Sequence, residues 1–186
     1  MPVALIVNDS AQLMRKAVEH VQQQLAKVRT GRASASMLDA VKVEYYGEPT
    51  PLAQVGSVSV PDARSIMIQP WDRTALQNIE KAILAANLGI TPQNDGQVIR
   101  ISVPPLTEER RKDIVKQCKK MAEEGKLAVR NIRRDANEEL KMAEKTEHFS
   151  EDERKRGEDD VQKNTDKYVA EIDKILAAKE VEVMEE

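Results

Sequence analysis

The chain is short of the residues on which most enzyme classes rest. Cys118 is the only cysteine among 186 residues, which excludes a disulfide framework and a thiol-rich metal site. The two histidines, His20 and His148, fall on a helix flank and in a loop, with no metal-ligand spacing between them. Glycine is sparse and nowhere forms a phosphate-cradling loop: Gly31 stands alone and Gly89 follows a helix. Aromatic residues are only 3% of the chain, which argues against single-strand nucleic-acid binding by base stacking. No apolar run approaches the roughly 20 residues that a membrane span requires. Met1 to Val7 are apolar but few, without a basic leader or a small-residue cleavage site, so no signal peptide is expected and the cytoplasm is the expected location. The carboxylate pairs Glu123-Glu124 and Asp159-Asp160 read as solvated helix faces, and Cys118 as a buried, inert thiol. Catalysis, a metal, a cofactor, a membrane and a small-molecule substrate are all unexpected.

What the chain has is charge, 33% of its residues, with a net value of −3. Many charges and few aromatics suit long exposed helices better than a compact globule. The charge is unevenly placed. Residues 110–134 carry ten Lys/Arg against three acids, whereas residues 135–186 carry nine bases against eighteen acids. A basic block inside an acidic protein points to an anionic partner.

Three segments have helical periodicity. Met14, Val18, Val21, Leu25 and Val28 alternate at spacings of 4 and 3, the stripe of a helix in a coiled-coil-like bundle. Asp9 or Ser10 can cap its start, and Thr30-Gly31 ends it. A second helix is expected over 107–146, with Thr107 as cap and Ile114, Cys118, Met121, Gly125, Ala128 and Ile132 inward, slipping to Ala136, Leu140 and Ala143. Its length would be about 60 Å at 1.5 Å per residue. The third opens at Ser150, where Ser150 and Glu153 form a capping box. Val161, Thr165, Tyr168, Ile172 and Ile175 face inward, and the helix ends near Val183.

Residues 33–105 differ. Residues 41–46, 57–60, 65–68 and 98–103 read as strands, and Gly47 and Pro49 break the first. Thr74 to Asn87 is an amphipathic helix with Leu76, Ile79, Ile83 and Leu84 inward. The first long helix cannot bury its stripe alone, so it must return to the other two. The expected fold is α+β: an elongated three-helix antiparallel bundle from residues 1–30 and 106–186, with a small, β-rich α/β domain inserted at 31–105. Two short connections join them near 30–32 and 103–106. Thr30, Gly31 and Arg32 on one, and Pro104 and Pro105 on the other, suggest a hinge; a rigid corner is the alternative.

The basic block has a direction on its helix. At about 100° per residue from Lys126, Lys119 lies near 20°, Lys112 and Arg130 near 40°, Lys116 and Arg134 near 80°, and Arg133 near 340°. The expected core residues fall at about 220–260°. Seven cations thus share one face over roughly 33 Å. A solvated lysine-rich face is the commonest fate of such charge. Against it, only Glu123 offers a neighbouring acid inside the stripe, and the cluster at 130–134 is arginine, the residue suited to gripping phosphate. Binding to the backbone of a folded RNA is the favoured reading.

Several stretches resemble the bacterial ribosome recycling factor family: Val28-Arg29-Thr30-Gly31-Arg32-Ala33-Ser34, Val43-Glu44-Tyr45-Tyr46-Gly47, Pro49-Thr50-Pro51-Leu52, the run from Pro104 to Lys112, the run from Val129 to Asn137, and Asp159-Asp160-Val161-Gln162-Lys163. The resemblance covers nearly the whole chain in the right order. It implies an L-shaped, tRNA-sized monomer that enters the ribosome after peptide release and binds large-subunit rRNA across the A and P sites. With elongation factor G, and GTP hydrolysed by that partner, it would split the ribosome into subunits and release it from mRNA. It implies that Arg133 is the main ribosome-binding arginine, with Arg130 beside it, and that Arg29, Gly31 and Arg32 serve as hinge or rRNA contacts. Two other readings are a helical adaptor that grips RNA or proteins, and a hydrolase using Cys118 or a carboxylate. The first needs exposed apolar bundle tips, for which His148-Phe149 is the only hint.

Overall fold

The structure, a computed structural model, describes residues 2–185. The chain divides into two compact units: one takes the chain up to Arg29 and from Glu108 to Glu185, the other runs from Thr30 to Thr107.

The first unit is three long helices, α1 (Val3–Ala26), α3 (Glu108–Thr146) and α4 (Glu151–Met184), each packed on the other two. Ile6, Met14, Val18, Val21 and Leu25 of α1 are buried, as their spacing requires. The helix begins earlier than the capping residues suggested. Ser10 lies inside it on the buried stripe, and its hydroxyl is satisfied by the Val7 carbonyl at 2.8 Å. A serine that can bond backward within a turn is tolerated there and need not mark a start. Val3 lies beside Gly157 and Leu140, and Val21 beside Gly125 and Ile172, so α1 runs antiparallel to α3 and parallel to α4.

The turn from α3 to α4 is short and firmly tied. Ser150 accepts from the Glu153 N–H at 3.1 Å and donates its own N–H to the Glu153 carboxylate at 3.2 Å, the reciprocal capping expected of this sequence. Arg154, in the first turn of α4, pairs with Glu144 of α3 and with Glu151 and Glu158 of its own helix. On α4 the buried stripe is Gly157, Val161, Thr165, Tyr168 and Ile172, then Lys179 and Val183. Ile175 is only half-buried, because the stripe steps by seven residues there.

The buried face of α3 keeps Ile114, Cys118, Gly125, Ala136, Leu140 and Ala143 as expected and differs at Ala122 and Val129. Ile114, Cys118, Ala122, Gly125, Val129, Ala136, Leu140 and Ala143 are buried, whereas Met121, Ala128 and Ile132 sit half-exposed on the flank. In a three-helix bundle each helix meets two neighbours, and close approach favours small side chains at the seam. Ala122 carries that signal, and it is easily passed over for the larger Met121 beside it.

The second unit holds a two-stranded ribbon of β1 (Lys42–Tyr45) and β2 (Glu48–Pro51), and an antiparallel sheet of β3 (Gly56–Asp62), β4 (Ser65–Pro70), β6 (Ile99–Ser102) and β5 (Thr91–Asn94) in that order. Helix α2 (Leu76–Ala85) packs on β1 and β5. Val43, Ile66, Ile68, Ile79, Ile83, Ile99 and Ile101 form the core. Asp72 caps the turn before α2 by accepting the Thr74 N–H at 2.9 Å. Two strands, β2 and β5, were not expected because each carries proline. Both belong to sheet edges, where a missing N–H costs no ladder bond. Leu84 was expected inward but is 55% exposed, one residue round the helix from Ile83.

The segments that enter and leave this unit meet at the β3–β4 turn. The Ala33 N–H donates to the Ala63 carbonyl and the Val103 N–H to the Arg64 carbonyl, both at 2.7 Å. Gly31 has φ +86°, and a Cβ there would come within 2.8 Å of Leu106 Cγ. Substituting alanine should therefore incur both backbone strain and a displaced leucine. Gly31→Ala is expected to destabilise the protein by about 2 kcal/mol, read as a lower thermal midpoint; an unchanged midpoint would contradict this account of the junction.

Candidate functional site

The cations of α3 separate into two groups once the true buried face is known. Lys112, Lys116, Lys119, Arg130 and Arg134 are exposed. They lie between about 100° and 160° round the helix from the buried stripe, at 100° per residue. Lys120 joins them, a residue left out of the expected set. Among the described residues, Lys116, Lys119, Lys120, Arg130 and Arg134 make no ion pair or hydrogen bond. Lys112 pairs with Glu108 at 3.5 Å, and both side chains are largely in water, an arrangement too weak to hold the ammonium from another partner.

Lys126 and Arg133 belong to the second group. Lys126 was expected in the outward stripe, but its side chain is only 13% exposed. It lies on the α3–α4 seam, paired with Asp173 and, at 3.2 Å, with Glu123. The Asp173 and Glu123 carboxylates hold its ammonium above the usual lysine range, against the smaller opposing effect of burial. Its charge is already neutralised, so it is not part of the open face. Arg133 is half-buried at the edge of the same seam. Its Nη1 donates to Gln162 Oε1 at 3.4 Å, and Gln162 in turn donates to Asp166 at 2.9 Å. One long bond occupies little of a guanidinium with five N–H donors. The remaining donors are left for another partner, on a residue next in the chain to the exposed Arg134.

Arg29 and Arg32 are both exposed but fall in different units. Arg29 lines a cleft of about 430 Å³ between the end of α1 and the start of α3, together with Lys27 and Arg110. Lys27 and Arg110 were not singled out from the sequence, since only the packing of α1 on α3 brings them to Arg29. Thr30, Gly31 and Arg32 precede the bond from Ala33 to the β3–β4 turn, and Pro104 and Pro105 follow the bond from Val103, both prolines exposed.

The groups that could have carried chemistry are otherwise engaged. Cys118 is fully buried and burial pushes its thiol up, away from the thiolate. Among the described residues, no group of three His, Cys, Asp or Glu side chains is placed to hold a metal ion. No helix among them is long and apolar enough to cross a membrane.

Fold and flank together define an α+β protein of the helical-scaffold class, with an open row of cations along one rod. A family model for the ribosome recycling factor matches residues 21–184. The ribosome-recycling factor of Nitratidesulfovibrio vulgaris (strain DP4) is 55% identical over 185 residues, covering 100% of each chain. A solution structure of the ribosome recycling factor superposes with a TM-score of 0.71 at 46% identity, covering 98% of this chain and 97% of that one. Models of the T. thermophilus ribosome recycling factor and the E. coli elongation factor G bound to the E. coli post-termination complex match with a TM-score of 0.62 at 45% identity over 100% of each chain. The chain belongs to the ribosome recycling factor family, a family of translation factors.

Proposed function

We propose that the protein binds the post-termination ribosome and, with elongation factor G and GTP hydrolysed by that partner, dissociates it into subunits, freeing it from mRNA. The observation that supports this most is the row Lys116, Lys119, Lys120, Arg130 and Arg134 on α3, exposed and, among the described residues, without an ion pair or hydrogen bond, in a chain of this family. Such a row costs no internal bond when it meets phosphate. Each contact releases counterions and favours binding.

The large subunit's rRNA is the anchor in this reading. Arg130, Arg133 and Arg134 grip its backbone, Lys112, Lys116 and Lys119 extend the contact, and Arg29 and Arg32 add cations near the junction. Arg133 has only its long bond to Gln162 to give up when it meets phosphate. Lys126 serves a different purpose: with Asp173 it fastens α3 to α4, so the rod carries load without slipping. The elongation factor acts on the smaller unit, with Thr30 to Arg32 and Pro104-Pro105 as the hinge, and the chain works as a monomer without a cofactor.

Light scattering of post-termination complexes tests this reading. Adding the protein with elongation factor G and GTP should produce a fall in scattering as subunits separate. Omitting either partner, or replacing GTP by a non-hydrolysable analogue, should abolish it. An undiminished signal from complexes that lack the protein would remove the reading.

A further inference from the structure

The aromatic residues are few, yet three of them, Tyr45, Tyr46 and Trp71, belong to the smaller unit, and two of these face water. Tyr46 is 84% exposed and Trp71 70% exposed. Tyr46 and Gly47 form the turn of the β1–β2 ribbon, both at positive φ, +50° and +79°. That turn type ordinarily takes Asn-Gly or Gly-Gly, so a tyrosine there sets a large ring in solvent at a backbone position unfavourable to it. The Tyr45 and Tyr46 rings meet edge to face, 4.4 Å apart at 70°.

The surroundings of this pair are acidic. Tyr45 faces Glu48 directly across the ribbon, close enough for their side chains to be neighbours. Asp72, next to Trp71 in the chain, is close enough to Tyr45 to act on its hydroxyl. Its carboxylate is fixed by the Thr74 N–H and by the Thr74 hydroxyl at 2.7 Å, and those bonds keep it ionised. Arg73, on the other side of Asp72, is the one cation adjoining it in sequence. Rings in water beside carboxylates suit a guanidinium or ammonium, which stacks on the ring face while a carboxylate takes its charge. Nucleic acid fits poorly, because its phosphates would meet Glu48 and Asp72.

We propose that Tyr45 and Tyr46, with Glu48 and Asp72, form a docking patch for an arginine- or lysine-bearing segment of a protein partner, with Trp71, the chain neighbour of Asp72, at its edge. The inference rests on the reading that a protein acts on the smaller unit, and it names the surface and the chemistry of that contact.

Trp71 is the only tryptophan in the chain, so all tryptophan emission comes from the residue beside Asp72. The full-length protein is titrated with an alternating Arg-Gly decapeptide and, separately, with a decamer of oligouridylate. A saturable change in Trp71 emission is expected with the peptide and not with the oligonucleotide, and Tyr46→Ser or Glu48→Lys should weaken the peptide response about tenfold. No saturable change with the peptide, or an equal response to oligouridylate, overturns the proposal. A second arm uses the ribosome. Tyr46→Ser should bind vacant large subunits as the unaltered protein does, yet slow elongation-factor-dependent splitting at least about fivefold. Splitting at the unaltered rate would overturn the patch, whereas failure of the unaltered protein to bind large subunits would overturn the functional reading instead.

Discussion

Replacing Arg130, Arg133 and Arg134 together by alanine is expected to weaken binding to vacant large ribosomal subunits by about a thousandfold, taking about 1.5 kcal/mol as the minimum for each charge-assisted hydrogen bond lost. Helicity should persist. Among the described residues Arg130 and Arg134 make no ion pair or hydrogen bond, and Arg133 gives up only its long bond to Gln162, while alanine is the best helix former. Arg133→Ala alone should cost about tenfold, one such contact. Lys126→Ala should leave affinity nearly unchanged, since its ammonium is already shared between Asp173 and Glu123. Co-sedimentation with vacant large subunits, paired with circular dichroism of each variant, reads all of these. A triple variant that binds as tightly as the unaltered protein would leave the arginines with no function in the contact.

The second large effect concerns the rod itself. Gly125 lies at the middle of α3, where a Cβ would run into the Val21 side chain of α1, with Ile172 of α4 also within van der Waals reach. With no side chain at Gly125 to separate them, the three helices come close together here. Gly125→Leu is expected to destabilise the bundle by about 3 kcal/mol or more, the upper range for overpacking a core. Urea unfolding followed by circular dichroism would show a lower midpoint. The paired change Gly125→Ala with Val21→Ala should recover most of that stability. It replaces the offending valine methyls by one new methyl, and it exchanges a helical glycine for alanine, worth about 1 kcal/mol. A Gly125→Leu variant as stable as the unaltered protein would mean that α1 does not pack against α3 at this point.

Much of this was readable from local chemistry. Ser150 and Glu153 are three residues apart, and their reciprocal capping needs nothing beyond them. The buried stripe of α1 follows from the spacing of Met14, Val18, Val21 and Leu25. The features that escaped all depend on a second element. The start of α1 was misplaced because Ser10 has the chemistry of a cap, and only the burial of Ile6 one turn earlier shows that the helix already exists there. On α3, Ala136, Leu140 and Ala143 are buried where the periodicity puts them, while Ala122 looks neutral until two neighbouring helices require a small residue there. Strands β2 and β5 were hidden by Pro49, Pro51 and Pro92, which an edge strand accepts and an inner strand does not.

The same limit governs the candidate site. Periodicity placed Lys126 and Arg130 on one face, only 40° apart at about 100° per residue. It could not reveal that Asp173, on another helix, would claim one and leave the other open. Likewise Lys27 and Arg110 are far apart in sequence and reach Arg29 only through the packing of α1 on α3.

The salt dependence of binding to vacant large subunits tests most directly whether the open cations, and not the total charge of α3, hold the RNA. Each phosphate contact contributes roughly 0.7–0.9 to the slope of log affinity against log salt. Arg130→Gln with Arg134→Gln should therefore flatten that slope by about 1.5, while Lys126→Gln, which removes charge from the same helix, should leave it as it was. Equal slopes for the arginine pair and the unaltered protein, or a flattening caused by Lys126→Gln, would contradict the account.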